Sequence, residues 1–111
     1  MKRVASIAEL ITDKVDEYKR LHAKVWPGVL RILRERNLRN YSVHLRRMAD
    51  GRHFLFSYFE YVGSDFAADM AKIDADADML AWWDLCKPCL TPPDGPGGEY
   101  FAEMQEVFHM D

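Results

Sequence analysis

The sequence predicts an α+β chain of the split βαβ, ferredoxin-like class: a βαββαβ sandwich whose antiparallel sheet carries helices on one face, in a dimeric α/β barrel-type assembly. Three observations predict it. The hydrophobic period switches in the order strand, helix, strand, strand, helix, strand. An Asp50-Gly51 turn separates two extended runs in mid-chain, and the second of these runs carries large apolar groups on both of its faces. At 111 residues the chain is read as one domain, 1–111, because this length holds a single core.

Residues 3–11 alternate, with Val4, Ser6, Ala8 and Leu10 on one side and Ala5, Ile7, Glu9 and Ile11 on the other. That suits a strand covered on both faces. Thr12 or Asp13 is placed to cap a helix starting near Lys14, with Asp16 and Glu17 favourably negative in its first turn. Val15, Tyr18, His22, Val25, Val29, Ile32 and Leu33 then recur at three- and four-residue spacing and form one stripe. Pro27 cannot donate to the carbonyl of Ala23 and crowds that turn, so a kink is expected near Trp26.

Past Asn37 the pattern becomes extended over 41–48 and 53–62, a tight β-hairpin around Asp50-Gly51. Ser64 or Asp65 is a cap for a short helix to about Ile73, and a second helical piece is expected over 78–87. Asp74 and Asp76 supply the polar break between them, and Pro88 the stop. Residues 91–98, with three prolines and three glycines, read as a loop, and a last strand is expected over 101–110. In the third strand Phe54, Phe56 and Tyr58 alternate with Leu55, Phe59 and Tyr61. The face away from the helices therefore keeps aromatic surface, and pairing with a second copy would bury it, which predicts a homodimer.

The net charge of −3 and the scattered basic residues, with only Arg46-Arg47 adjacent, leave no footprint for a phosphate backbone, so no nucleic-acid partner is expected. No apolar run approaches the ~20 residues that span a bilayer. The first ten residues lack the basic start and long apolar centre of a signal peptide. No membrane contact and a cytoplasmic location are the expectations. Cys86 and Cys89 share C-x-x-C spacing, but His44, His53 and His109 show no paired spacing that completes a zinc site. A redox pair would open a helix, whereas this one closes a helix, so two reduced, partly buried thiols are expected. The run Asp74, Asp76, Asp78 lacks the glycine and terminal glutamate of a calcium loop and reads as a solvated helix entry.

Two patterns bear on chemistry. Tyr18, His22 and Trp26 are four residues apart, so phenol, imidazole and indole would line one wall of a helix. Spacing alone leaves His22 open between a packing residue and an acid–base group. Trp82 and Trp83 are neighbours and point ~100° apart, so they are not expected to fill the same core pocket, and one should lie at an edge or cleft. Indole faces pack on the C–H face of a sugar while Tyr18 or Tyr41 holds hydroxyls. Equally, one Trp would fill the core and the other cover a dimer seam.

These residues together give a resemblance. In Glu17-Tyr18-x-Arg20-x-His22, Val25-Trp26-Pro27, Asn40-Tyr41-Ser42, Phe59-Glu60, Trp82-Trp83 and Met104-Gln105-Glu106-Val107-Phe108, the chain resembles the L-rhamnose mutarotase family over nearly its whole length. The resemblance implies a dimer with no metal or organic cofactor. It implies interconversion of the α and β anomers of a free monosaccharide, with His22 as proton donor and Tyr18, Tyr41, Trp82 and Trp83 as substrate-binding residues. L-Rhamnose leads, with L-fucose or another 6-deoxyhexose as the other candidate. The departure lies between Pro88 and Tyr100, where the Cys pair and a longer Pro/Gly loop follow the Trp pair and bear on sugar identity. On this fold class the competing reading is a cofactor-free monooxygenase or a haem- or ligand-binding protein, with His22 as ligand or base among an apolar box of aromatics.

Overall fold

The strand predicted at the N-terminus spans Lys2–Leu10 (β1), and its alternation is visible in its burial: Val4, Ala8 and Leu10 are buried with Ser6, while the residues between them are only partly covered. The computed structural model describes residues 1–111. A single 3₁₀ turn, Thr12–Lys14, leads into α1, Val15–His22. Neither Thr12 nor Asp13 caps it through its side chain, contrary to expectation, because the 3₁₀ turn already engages the amides at the helix entry.

The expected kink is a complete break. Trp26 is extended, with ψ 139°, and Pro27 opens a separate helix α2, Pro27–Glu35. The pyrrolidine ring disfavours helical backbone at the residue before it, and proline suits the first helical position, where no carbonyl awaits its missing N–H. One apolar stripe thus becomes two helices with an angle between them.

β2 (Leu38–Arg47) and β3 (His53–Tyr61) form the hairpin, with Arg47 opposite His53. Its connection is wider than the tight turn expected. The Met48 amide donates to the Arg52 carbonyl at 2.7 Å, and of the Asp-Gly pair only Gly51 is left-handed, at φ +91°. The Asp50 carboxylate instead accepts from the Arg52 amide at 2.9 Å, which keeps Asp50 out of the left-handed region a two-residue turn needs.

Helices α3 (Phe66–Ala75) and α4 (Ala77–Cys86) follow, each capped by an aspartate: Asp65 accepts from the Ala68 amide and Asp76 from the Met79 amide, both at 3.1 Å. Each such cap contributes about 1 kcal/mol. After α4 a 3₁₀ turn, Lys87–Cys89, holds Pro88.

The last strand departs most from expectation. A two-residue strand β4, Leu90–Thr91, pairs antiparallel with the end of β1, and after the Pro/Gly loop β5, Ala102–Met104, pairs with its middle. Ladder pairing ends with Ala5 opposite Met104 although β1 continues to Lys2, so the strand expected over 101–110 is only three residues long. Arg3 still reaches Glu106 at 2.7 Å, but Val107 and Phe108 are 90% and 78% exposed.

The resulting sheet order is β2-β3-β1-β4, all antiparallel, with β5 sharing β4's edge of β1. This is the ferredoxin-like order. Leu55, Phe59 and Tyr61 of β3 face the helices and join two apolar clusters, one around Leu10, Tyr18, Val29, Trp82 and Cys86, the other around Val4, Ile32, Leu38 and Ile73. Phe54, Phe56 and Tyr58 point to the opposite face, as the alternation requires.

Candidate active site

Between α1, α2 and α4 on one side and the edge strand β2 on the other lies a cavity of about 430 Å³. Tyr18, His22, Tyr41, Trp82 and Trp83 all line it. The five residues singled out from the sequence are therefore brought together, although they come from three elements spread over more than half of the chain.

Tyr18 and His22 sit one turn apart on α1, and their rings stack at 4.0 Å between centroids with 20° between planes. The edge of Trp82 meets His22 at 5.2 Å. His22 Nδ1 lies 3.0 Å from the Tyr18 carbonyl oxygen. A carbonyl only accepts, so Nδ1 carries the proton and Nε2, which makes no hydrogen bond within the chain, is the nitrogen free to take one up. Partial burial lowers the pKa of His22 from its ordinary 6.5, a shift the Tyr18 carbonyl only partly offsets. The imidazole is thus neutral at physiological pH.

Tyr18 is buried, and desolvation pushes its phenol far above the usual range, so it remains a hydrogen-bond donor. Tyr41 keeps 46% of its surface open where it borders the cavity; its phenol too is raised by desolvation.

Trp82 is buried in the core and Trp83 half-buried at its edge, as their divergent directions require, and both border the same cavity. They do so because α4 is apolar around most of its circumference and the cavity wraps its flank. Trp83 is braced by the edge of Tyr100 at 5.7 Å. Trp26, by contrast, is absent from the wall expected to hold it. The break before Pro27 turns it behind the site, where its ring meets the edge of Trp82 at 5.3 Å.

Sequence reasoning missed part of the lining. Val25, Val29 and Leu33 belong to the helical stripe, but Met79, Cys86 and Phe101 reach the cavity only through tertiary packing. Phe101 arrives from the end of the Pro/Gly loop, the segment where the chain departs from its resemblance. Cys86 and Cys89 are both buried free thiols, and burial pushes Cys86 up to about 12, so neither is a thiolate nucleophile. No group of three or more His, Cys, Asp or Glu side chains is gathered for a metal ion. A second depression, of about 420 Å³, lies along α2, where Arg31 and Glu35 are already paired at 3.0 Å and no histidine or cysteine is present.

A half-buried imidazole with one free nitrogen, two phenols and two indoles thus surround one cavity on a ferredoxin-like fold, an arrangement compatible with a carbohydrate isomerase. The comparisons agree. The L-rhamnose mutarotase family matches residues 3–110, and the chain belongs to that family. A relative from Oceanobacillus iheyensis, an L-rhamnose mutarotase, is 31% identical over the full length of both chains. Among solved structures, an L-rhamnose mutarotase from Formosa agariphila superposes with a TM-score of 0.75 at 22% identity, covering all of both chains. A putative antibiotic biosynthesis monooxygenase from Nitrosomonas europaea, at TM-score 0.59 and 18% identity over 97% of this chain and all of its own, shares the fold alone. No helix is long and apolar enough to cross a membrane.

Proposed function

We propose that this protein is an L-rhamnose mutarotase in which His22 carries out both proton transfers of the reaction. The observation that carries this reading is the engaged Nδ1 and free Nε2 of a neutral His22 in the wall of an apolar, aromatic cavity. Nε2 takes the proton of the anomeric hydroxyl as the bond from C1 to the ring oxygen breaks. The carbonyl forms at C1, and the same nitrogen returns the proton to the departing ring oxygen. Rotation about the C1–C2 bond turns the aldehyde over, and reclosure by the reverse transfers gives the other anomer. Both oxygens sit on C1, so one imidazole reaches each in turn. Tyr18 and Tyr41, protonated at neutral pH, donate hydrogen bonds to sugar oxygens and do not act as bases.

Twelve of the fourteen lining residues are aliphatic, aromatic or sulfur-bearing. That composition favours a sugar with a methyl group in place of a hydroxymethyl, since a hydroxyl buried there would lose its partners. The working unit in this reading is a homodimer, which would cover the outward faces of Phe56 and Tyr58 and the exposed tail at Val107, Phe108 and Met110.

Saturation-difference NMR with L-rhamnose, L-fucose and D-glucose at anomeric equilibrium tests the function directly. Exchange between α and β resonances of L-rhamnose, lost by about 10²-fold or more in folded His22→Ala, is the expected result. Exchange of L-fucose in preference reassigns the sugar, and exchange undiminished in His22→Ala removes the mechanism.

A further inference from the structure

Alternation along β2 breaks at Asn40. Leu38 pairs with Tyr61 and Arg39 with Glu60, but the residue opposite Tyr58 is Ser42, so Asn40 and Tyr41 together face Phe59. The inserted residue is Asn40, left-handed at φ +50°. In an unbroken strand, residues 40, 42 and 44 would share the helix-facing side of Leu38, and Tyr41 would point to the opposite face of the sheet. The bulge shifts every later residue by one. Tyr41 comes to lie against Phe59, 5.3 Å between centroids, Val43 reaches the cavity and Leu45 packs on the core, all on the side of Leu38.

The bulge is secured from the outer face. Asn40 Nδ2 donates to Glu60 Oε1 at 2.6 Å, and the Tyr58 hydroxyl donates to Glu60 Oε2 at 2.8 Å. Asparagine is among the few residues other than glycine that enter the left-handed region at small cost, and its amide supplies the donor that Glu60 accepts. β2 is an edge strand with a neighbour on one side only, so its register is not otherwise clamped there.

We propose that Asn40 is a positioning residue: tied to Glu60, it holds the bulge that turns Tyr41 into the cavity that His22 also lines. Asn40 does not border the cavity itself and acts through Tyr41. The inference rests on reading the cavity as the sugar site.

The test compares Asn40→Val, which disfavours a left-handed backbone and removes the donor, with Asn40→Gly, which keeps the backbone. In the anomer-exchange assay Asn40→Val is expected to raise KM about tenfold with kcat changed less than about threefold, the size of one lost binding contact. In a Tyr41→Ala background the same substitution should add less than about twofold, since nothing remains to be positioned. Asn40→Gly should stay closer to wild type. An equal effect with and without the Tyr41 side chain overturns the proposal.

A second readout needs no sugar. With 3-fluorotyrosine incorporated, the Tyr41 resonance, assigned by its loss in Tyr41→Phe, should shift most in Asn40→Val and less in Asn40→Gly, which keeps the left-handed backbone but loses the tie to Glu60. If wild type exchanges no sugar, the proposed function fails while the fluorine shift still decides the positioning. Should Asn40→Val not fold, Asn40→Ala and Glu60→Ala are each expected to move the resonance, and an unmoved resonance in both overturns the proposal.

Discussion

The imidazole of His22 lies flat on the phenol of Tyr18, 4.0 Å away, while its Nδ1 donates to the carbonyl of that same residue at 3.0 Å. Both contacts follow from the four-residue spacing on α1, and together they fix the plane and the tautomer of the ring.

The first consequence concerns pH. Desolvation holds the His22 pKa below 6.5, and in the proposed mechanism the neutral form is the base. The kcat/KM for anomer exchange should therefore rise with pH along a single limb whose midpoint lies below 6.5, and be flat through neutrality. A midpoint at or above 6.5 contradicts the assignment. Stability should follow the same group: the unfolded chain protonates at 6.5 before the folded one does, so unfolding becomes easier as pH falls below 6.5 and this contribution levels off below the folded pKa.

Removing the Tyr18 hydroxyl separates stacking from hydrogen bonding. Tyr18→Phe keeps the ring on His22 and, Tyr18 being read as a donor and not a base, should raise KM by about tenfold with little change in kcat. Steady-state exchange rates over a range of sugar concentration check this; a loss confined to kcat would make Tyr18 a proton-transfer group instead.

Trp82 joins site and core. It is buried and meets both His22 and Trp26 by ring edges. Trp82→Ala should cost about 3–5 kcal/mol in urea-induced unfolding, whereas Trp82→Phe, which retains a ring, should cost distinctly less.

The tail gives a prediction about assembly. Val107, Phe108 and Met110 are each more than three-quarters exposed in the single chain. Light scattering should report a dimer at micromolar concentration, and Val107→Ser with Phe108→Ser should shift it toward monomer. A monomeric wild type would remove the homodimer from the proposed function.

How much of the site was legible depends on whether a residue's direction is set locally. Tyr18 and His22 share a face by helical spacing alone. Trp26 obeys the same spacing, yet Pro27 ends the regularity on which that spacing depends, and Trp26 turns behind Trp82. Tyr41 was identified by the run Asn40-Tyr41-Ser42, but simple alternation from Leu38 points it out of the site. Phe101 carries no local signal at all, since its place follows from where β5 finds β1.

Taken alone, the sequence determined the order of elements, the ferredoxin-like class, the hairpin and a helix cap at Ser64 or Asp65, because periodicity, turn residues and cap residues act over a few neighbours. Only the tertiary structure decided that one strand would be split into β4 and β5, that both Trp82 and Trp83 would border one cavity, and that a bulge at Asn40 would turn Tyr41 toward His22. Those outcomes depend on pairing and packing between residues distant in the chain, where the register of one strand against another sets which way every side chain points.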